Sequence, residues 1–412
     1  MLRKNIWIFS HNSTPPSVGQ WVRHYMFSKY SDTEKFKTTV FASSYIHLSD
    51  TNFREQNKKF THKTFEDVNY CFVNLKNYGG KKFQRVINMA KFCWRLVLGS
   101  VKEMGEIPDV IYASSPDPLA WLAAYLISKK HKAEFIVETR DLWPETFVEL
   151  GVIKRKSLLA KVMYSFERFI YKKADKLVFT FEGGYQYLLE KGIDRKEESV
   201  FSINNGVDLK KFEFNSRTYV YDDEHLDDPA IKTIVYTGSL GQANDLFTLM
   251  HLALKLKRFG NDDVRILIFG SGLEEERLIK FKEEHHLHNV LFKGRIDKKF
   301  IPSILTKANI NTIVGFQNNL YRFGYSFNKL FDYIASGRPI VSSVQTNYDL
   351  IEKYNLGKTI NLKDDSAFYN AMMLYLSDSE ENLKALKQRS EELIVQYDYE
   401  NLSHAFYSVI EK

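Results

Sequence analysis

The feature that most constrains the fold is an alternation that runs twice along the 412 residues. Short apolar, β-branched or aromatic runs at residues 4–9 (KNIWIF), 109–113 (DVIYA), 134–138 (EFIVE) and 176–180 (KLVFT) each end in polar turn residues and read as buried strands. Amphipathic stretches such as 119–129 and 158–171 lie between them. The pattern restarts with 232–236 (KTIVY), 264–269 (VRILIF), 289–292 (NVLF), 310–314 (INTIV) and 339–342 (PIVS). Buried strands alternating with helices require a parallel sheet covered on both faces. The expected class is α/β: two Rossmann-like, doubly wound parallel-sheet domains facing a central cleft. The expected boundaries are 1–208, 209–392, and a helix over 393–412 returning to the N-terminal domain. The acidic stretch 219–229 (YVYDDEHLDDP) between the two sets reads as a surface linker or loop. Ligands in such sheets belong at the carboxyl ends of the strands.

Composition then narrows the function classes. At 44% hydrophobic and 26% charged, the chain is globular rather than disordered. Its longest apolar stretch, 119–127, is far shorter than the ~18–20 residues that span a bilayer. The apolar run near the start is too short for a signal-peptide core. Integral-membrane and secreted classes are not expected, and a cytoplasmic location is. Cys71 and Cys93 make no C-x-x-C or zinc pattern and read as small buried hydrophobes. The net charge of +7 is unevenly spread: residues 1–206 carry 32 Lys and Arg against 22 Asp and Glu. A basic first half suits a negative surface or a phosphate-bearing ligand.

Three strand ends in the second half carry glycine: Gly238 with Ser239, Gly270 with Gly272, and Gly294 before Arg295. Glycine there lets backbone approach a ligand, and the next helix start favours an anion. A plain tight turn explains each one alone. The densest segment is 322–339 (RFGYSFNKLFDYIASGRP), a polar loop running into an amphipathic helix that stops at Gly337. Arg322 and Lys329 have the charge to neutralise a diphosphate, and Asp332, one turn into the helix, can accept two ribose hydroxyls. The alternative for Lys329 and Asp332 is an ordinary solvent-exposed helix face.

The series SINNGVDLKKF (202–212), VYTGSL (235–240), IFGSG (268–272), NVLFKGRI (289–296) and NKLFDYIASGRPIV (328–341), with ETRDLWPE (138–145), resembles retaining glycosyltransferases of family 4, which have the GT-B fold. It looks most like the branch that builds bacterial O-antigen and capsule repeats by hexosyl or N-acetylaminosugar transfer. The resemblance implies a nucleotide-sugar donor, a UDP-sugar being favoured, and a glycan or lipid-diphosphate-linked glycan acceptor. It implies no metal or other cofactor. Gly19 and Gln20 match the loop that touches the donor phosphates. Arg140 and Asp141 match a His-Asp pair near the transferred sugar. Gly238, Ser239, Gly270 and Gly272 match the nucleotide-domain loops, and Arg295 and Ile296 match the segment facing the base. Asn328, Lys329, Leu330 and Asp332 match the donor-binding helix start. Two departures stand out. Ser239 and Asn244 replace the usual Arg/Lys clamp, and Gly324 replaces the first glutamate of a paired-glutamate motif whose second member aligns with Asp332. Arg322, Asn328 and Lys329 are the substitutes at hand.

In such a reaction, negative charge grows on the leaving phosphate, so the catalytic assignment falls on Lys329 and Arg322, with Arg140 and Asp141 near the sugar. Asp117, Glu138 and Glu145 are acceptor-side candidates, with helix capping as the structural alternative. Basic and aromatic residues mix over 81–98, and Lys154, Arg155, Lys156, Lys172 and Lys173 add charge. These segments suit peripheral contact with an anionic membrane face. Competing readings are a catalytically weak GT-B subunit, an epimerase on a similar fold, and a nucleic-acid binder. No nucleic-acid motif supports the last, so no nucleic-acid partner is expected.

Overall fold

A computed structural model describes residues 3–19, 21–46, 51–77, 82–362 and 366–412. The chain divides into two compact units, Met1–Asn204 with Tyr399–Lys412, and Asn205–Asp398. The sequence reading set these boundaries at 208/209 and 392/393.

In the first unit, the described strands are β1 (Lys4–Phe9), β2 (Phe36–Ser43), β3 (Phe60–Phe65), β4 (Val68–Val73), β5 (Val110–Ser114), β6 (Glu134–Thr139), β7 (Lys176–Phe179) and β8 (Val200–Ser202). They form one sheet in the order β3-β4-β2-β1-β5-β6-β7-β8. Every pairing is parallel except β3 with β4. The antiparallel β3 lies at the edge of an otherwise parallel sheet. The turn Glu66–Asp67 closes this edge hairpin with both residues at positive φ. The fully buried central strands explain the continuous apolar runs in the sequence. Helix Tyr399–Glu411 packs on helix Arg23–Lys29, where Phe27 stacks on Phe406 at 4.8 Å and the Tyr407 hydroxyl donates to the Phe27 carbonyl at 3.1 Å.

In the second unit the strands are β9 (Lys232–Thr237), β10 (Val264–Phe269), β11 (Val290–Gly294), β12 (Ile310–Ile313), β13 (Ile340–Ser342) and β14 (Gly357–Thr359), ordered β11-β10-β9-β12-β13-β14 and all parallel. In each unit the chain lays strands outward on one side, then returns to the other side of its first strand. The switch points are β1/β5 and β9/β12, where open sheets leave a crevice at the strand ends.

The acidic stretch 219–229 is loop, but it is not a free linker. Asp223 is buried, pairs with Lys293 at 2.5 Å and accepts the His225 N–H, while Asp227 pairs with Lys307. An unpatterned sequence hid this because its partners lie on distant strands and helices of the same unit. Both cysteines are buried and unpaired.

Candidate functional site

Beside the β9/β12 switch point, β9 ends in Thr237-Gly238 and the loop after β12 runs into helix Asn328–Ala335. The helix buries Leu330, Phe331, Tyr333 and Ile334, an i, i+3, i+4 stripe that fixes its rotation. Tyr333 moors it to β9, its hydroxyl accepting the Thr237 N–H at 2.9 Å. Lys329 then reaches over the strand end. Its ammonium donates to the Tyr236 hydroxyl at 3.0 Å and sits 4.2 Å from the centre of the Tyr236 ring. The Tyr236 hydroxyl in turn donates to the Ser239 carbonyl at 2.9 Å, so its lone pair faces the ammonium. Gly238 has φ +147°, and a Cβ there would stand 2.9 Å from Lys329 Nζ. Glycine at 238 therefore makes room for the lysine.

Lys329 and Asp332 are both half-buried, and among the described residues neither forms an ion pair. Burial pushes the Lys329 ammonium down to about 7. Burial raises the Asp332 carboxyl, with the Lys298 charge opposing it. Charges held at that cost without a counter-charge are suited to a ligand that supplies one. The helix N-cap is Phe327, which has no side-chain oxygen to offer the first amides.

The other sequence candidates of this unit fall into place differently. A Cβ on Gly270 would lie 1.8 Å from the Gly238 carbonyl oxygen, and one on Gly272 would lie 2.4 Å from the Leu240 carbonyl oxygen. These two glycines zip neighbouring loops together, with Gly238 N–H donating to the Phe269 carbonyl and Leu240 N–H to the Ser271 carbonyl. Ser239 is exposed and uses its carbonyl, which Asn244 also approaches at 2.8 Å. Asn328 and Arg295 are exposed, Ile296 packs on the core and Leu330 is inside it, so Leu330 has only its backbone to offer. Arg322 lies over the Phe323 ring at 4.2 Å and donates to the Asn319 carbonyl of its own turn at 2.7 Å. Gly324, where the resemblance expects glutamate, has φ +102°, a backbone that side-chain-bearing residues rarely adopt.

The first unit has its own polar cluster at the ends of β5 and β6. Glu138 is fully buried and both its oxygens are taken. One accepts Arg23 Nε and the Tyr112 hydroxyl, each at 2.8 Å; the other accepts His24 Nε2 at 2.9 Å and the Ser114 hydroxyl at 2.6 Å. Burial opposes its charge, but Arg23 and His24 outweigh that and hold the carboxyl well below the usual range. Burial lowers His24 despite Glu138, which keeps Arg23 as the main counter-charge. Arg23 also binds the carbonyls of Ile203 and Asn204 at 2.7 and 2.6 Å. Asp117 caps helix Pro118–His131 through the Leu119 N–H and pairs with His11 Nδ1 at 2.7 Å. Glu145 accepts Tyr164, Lys191 and Arg155. All three acceptor-side carboxylates thus hold structural partners. Arg140 is half-buried with its charge bearing on Glu138, and Asp141 beside it is exposed. Gly19 packs on Thr14, whose buried hydroxyl has no hydrogen-bond partner among the described residues; a Cβ at 19 would lie 2.4 Å from that oxygen. Gln20 and Lys81 lie outside the described residues.

Sequence reasoning missed Tyr236, Tyr333, Arg23 and His24. An aromatic hydroxyl two residues before a strand-end glycine was the one local signal for Tyr236.

Residues 77–203 match the family model described as glycosyl transferase 4-like domain, and residues 231–378 match that described as glycosyl transferases group 1. No curated protein sequence matches the chain significantly. Among solved structures, sucrose-phosphate synthase from Thermosynechococcus elongatus is similar with TM-score 0.73 at 15% identity, covering 99% of this chain and 98% of that one. The UDP-forming α,α-trehalose-phosphate synthase from Burkholderia xenovorans, in complex with glucose-6-phosphate, gives 0.74 at 10% identity, covering 99% and 100%. Anabaena HepE, in complex with UDP and glucose, gives 0.62 at 12% identity, covering 99% of each. With a glycosyltransferase domain in each half and the fold of these structures, the chain is a glycosyltransferase of the GT-B type.

Proposed function

We propose that this glycosyltransferase moves a sugar from a UDP-sugar to a lipid-diphosphate-linked or growing surface-polysaccharide glycan, with retention of anomeric configuration. The donor belongs to the second unit and the acceptor to the first. The observation that carries the donor assignment is Lys329, an ammonium with no carboxylate partner among the described residues, held by Tyr236 against Gly238 at a helix start. A diphosphate would supply its missing counter-charge, and Asp332, one turn on, is spaced for ribose hydroxyls. The UDP and glucose bound by Anabaena HepE favour the same donor class.

In the proposed reaction, the bond from the anomeric carbon to the β-phosphate oxygen breaks, and the acceptor oxygen bonds to that carbon on the same face. The acceptor proton passes to the leaving phosphate. Lys329 stabilises the charge that grows there, which is the largest single task. The positive charge comes from the protein, so the reading calls for no metal ion. Arg322 lends charge from its turn, and Arg140 and Asp141 serve near the transferred sugar.

The acceptor reading draws on two helices of the first unit. Helix Lys82–Leu98 exposes Phe83 (75%), Trp94 and Leu98, and helix Leu158–Lys173 exposes Leu158 (78%), Leu159 and Val162. Lys91, Lys161, Lys172 and Lys173 lie on the same helices. Apolar and basic side chains together suit the inner face of an anionic membrane, each basic group adding about 1 kcal/mol near the surface. Among the described residues, no helix is long and apolar enough to cross a membrane.

The test is a thermal-shift panel of UDP-, GDP-, dTDP- and CMP-sugars, because a ligand of the folded state raises Tm by mass action. A shift with UDP-sugars alone, followed by slow release of UDP without acceptor, is the expected result. The backbone of Gly324 favours a second reading, a weakly catalytic subunit that binds donor, since the glutamate lost there is not simply restorable. Donor binding with no UDP release under any acceptor would select that reading. No shift with any nucleotide sugar would contradict both.

A further inference from the structure

The loop that delivers Lys329 is gripped from one side by a residue outside it. Asn205, buried and 5% exposed, donates its backbone N–H to the Ser326 hydroxyl at 2.7 Å and its side-chain amide to the Ser326 carbonyl, also at 2.7 Å. Two short bonds from one residue fix both the position and the peptide orientation of Ser326. The flanking residues Tyr325 and Phe327 stack at 4.4 Å, with Tyr321 edge-on to both. The loop is therefore held by an aromatic cluster as well as by Asn205. Ser326 is the last residue before Phe327, the N-cap of the helix, and Lys329 follows three residues later. That N-cap makes no side-chain cap hydrogen bond, so no side chain at the cap fixes the helix start. Tolerance at the other end is small, since Lys329 Nζ sits where a Cβ on residue 238 would come within 2.9 Å.

We propose that Asn205 is a positioning residue for donor binding: its double hold on Ser326 sets the helix start and so the place of the Lys329 ammonium beside Gly238. This rests on the donor reading above and assigns Asn205 no contact with substrate. A purely structural tie would also produce these bonds, but it would affect folding and not affinity.

The experiment is calorimetric titration of UDP into the full chain and into Asn205→Ala, Ser326→Ala, Ser326→Thr and Lys329→Ala, with Tm measured for each. The double variant Asn205→Ala/Lys329→Ala completes a cycle. Each variant loses one of the two neutral hydrogen bonds, the side-chain amide bond in Asn205→Ala and the bond to the hydroxyl in Ser326→Ala, which predicts UDP binding weaker by about threefold to tenfold in each. Ser326→Thr keeps the accepting hydroxyl and should bind within twofold of wild type. If Asn205 acts through Lys329, its substitution adds little in the Lys329→Ala background. Should Asn205→Ala fail to fold, Ser326→Ala, which keeps the side-chain amide bond, carries the same test. Weakened UDP binding in Lys329→Ala together with wild-type affinity in Asn205→Ala or Ser326→Ala overturns the positioning role alone. Wild-type affinity in Lys329→Ala overturns the donor reading, and the positioning role with it.

Discussion

Each unit gathers charge at its strand ends, and the two gatherings are built on opposite principles. In the first, Glu138 has a partner for every oxygen and its balancing arginine is spent on backbone carbonyls as well. In the second, Lys329 leans on a tyrosine and Asp332 has no ion-pair partner among the described residues. A closed network defines structure, because breaking it strands a buried charge. An open one leaves charge for something that is not the protein. Burial alone would have ranked Glu138 as the better site candidate; counting partners reverses that order.

The largest expected effect breaks the closed side. Glu138→Ala leaves Arg23 and His24 buried without their carboxylate and should cost about 3–5 kcal/mol of stability, read by urea unfolding. A cost under about 1 kcal/mol would show that the cluster is not the closed network described. Elsewhere in the same unit, burial raises the Glu167 carboxyl to about 8, against a hydrogen bond from Tyr187. The folded state therefore keeps a proton that the unfolded chain loses above its ordinary carboxyl range. Stability should fall as pH rises from about 4.5 to about 8, by at most about 1.4 kcal/mol per pH unit. Glu167→Gln should remove that slope in pH-dependent melts, and an unchanged slope would assign it elsewhere.

On the open side, only the protonated Lys329 attracts a diphosphate. With the free ammonium near 7, UDP affinity should fall as pH rises from 7 to 9, by up to tenfold per unit, since the UDP phosphates gain little further charge over that range. Lys329→Arg should flatten that dependence. The smallest effect sharpens the comparison: Ser239 lends its carbonyl to the site, not its hydroxyl, so Ser239→Ala should leave UDP affinity within about twofold and stability within about 0.5 kcal/mol.

Most of the fold was legible because its central strands are buried on both faces and read as apolar runs. Five strands escaped, among them β2 (FKTTVFAS) and β4 (VNYCFV), buried runs that polar residues interrupt. β3 (FTHKTF) lies at an edge and exposes His62, Lys63 and Thr64 in succession, and β8 and β14 are only three residues long. Lys329, Asp332 and Gly238 were legible because they sit in local motifs. What holds them was not. Tyr333 meets Thr237 across 96 residues, Asn205 meets Ser326 across 121 and Arg23 meets Glu138 across 115, and no local spacing encodes such pairings. Gly270 and Gly272 show the converse. Their glycines were plain in the sequence, but the close approach they permit is to neighbouring backbone.

The proposed donor site turns on the Lys329 ammonium, which has no carboxylate partner among the described residues and would receive the diphosphate of the donor. Calorimetric titration of UDP at pH 7 into wild type and Lys329→Met tests it most directly, with Tm recorded to confirm folding. Binding is expected to be weaker by about tenfold or more in the variant, the scale of one charge-assisted hydrogen bond, with a Tm equal to or above wild type because a half-buried charge is removed. Equal affinity in the two proteins would contradict it.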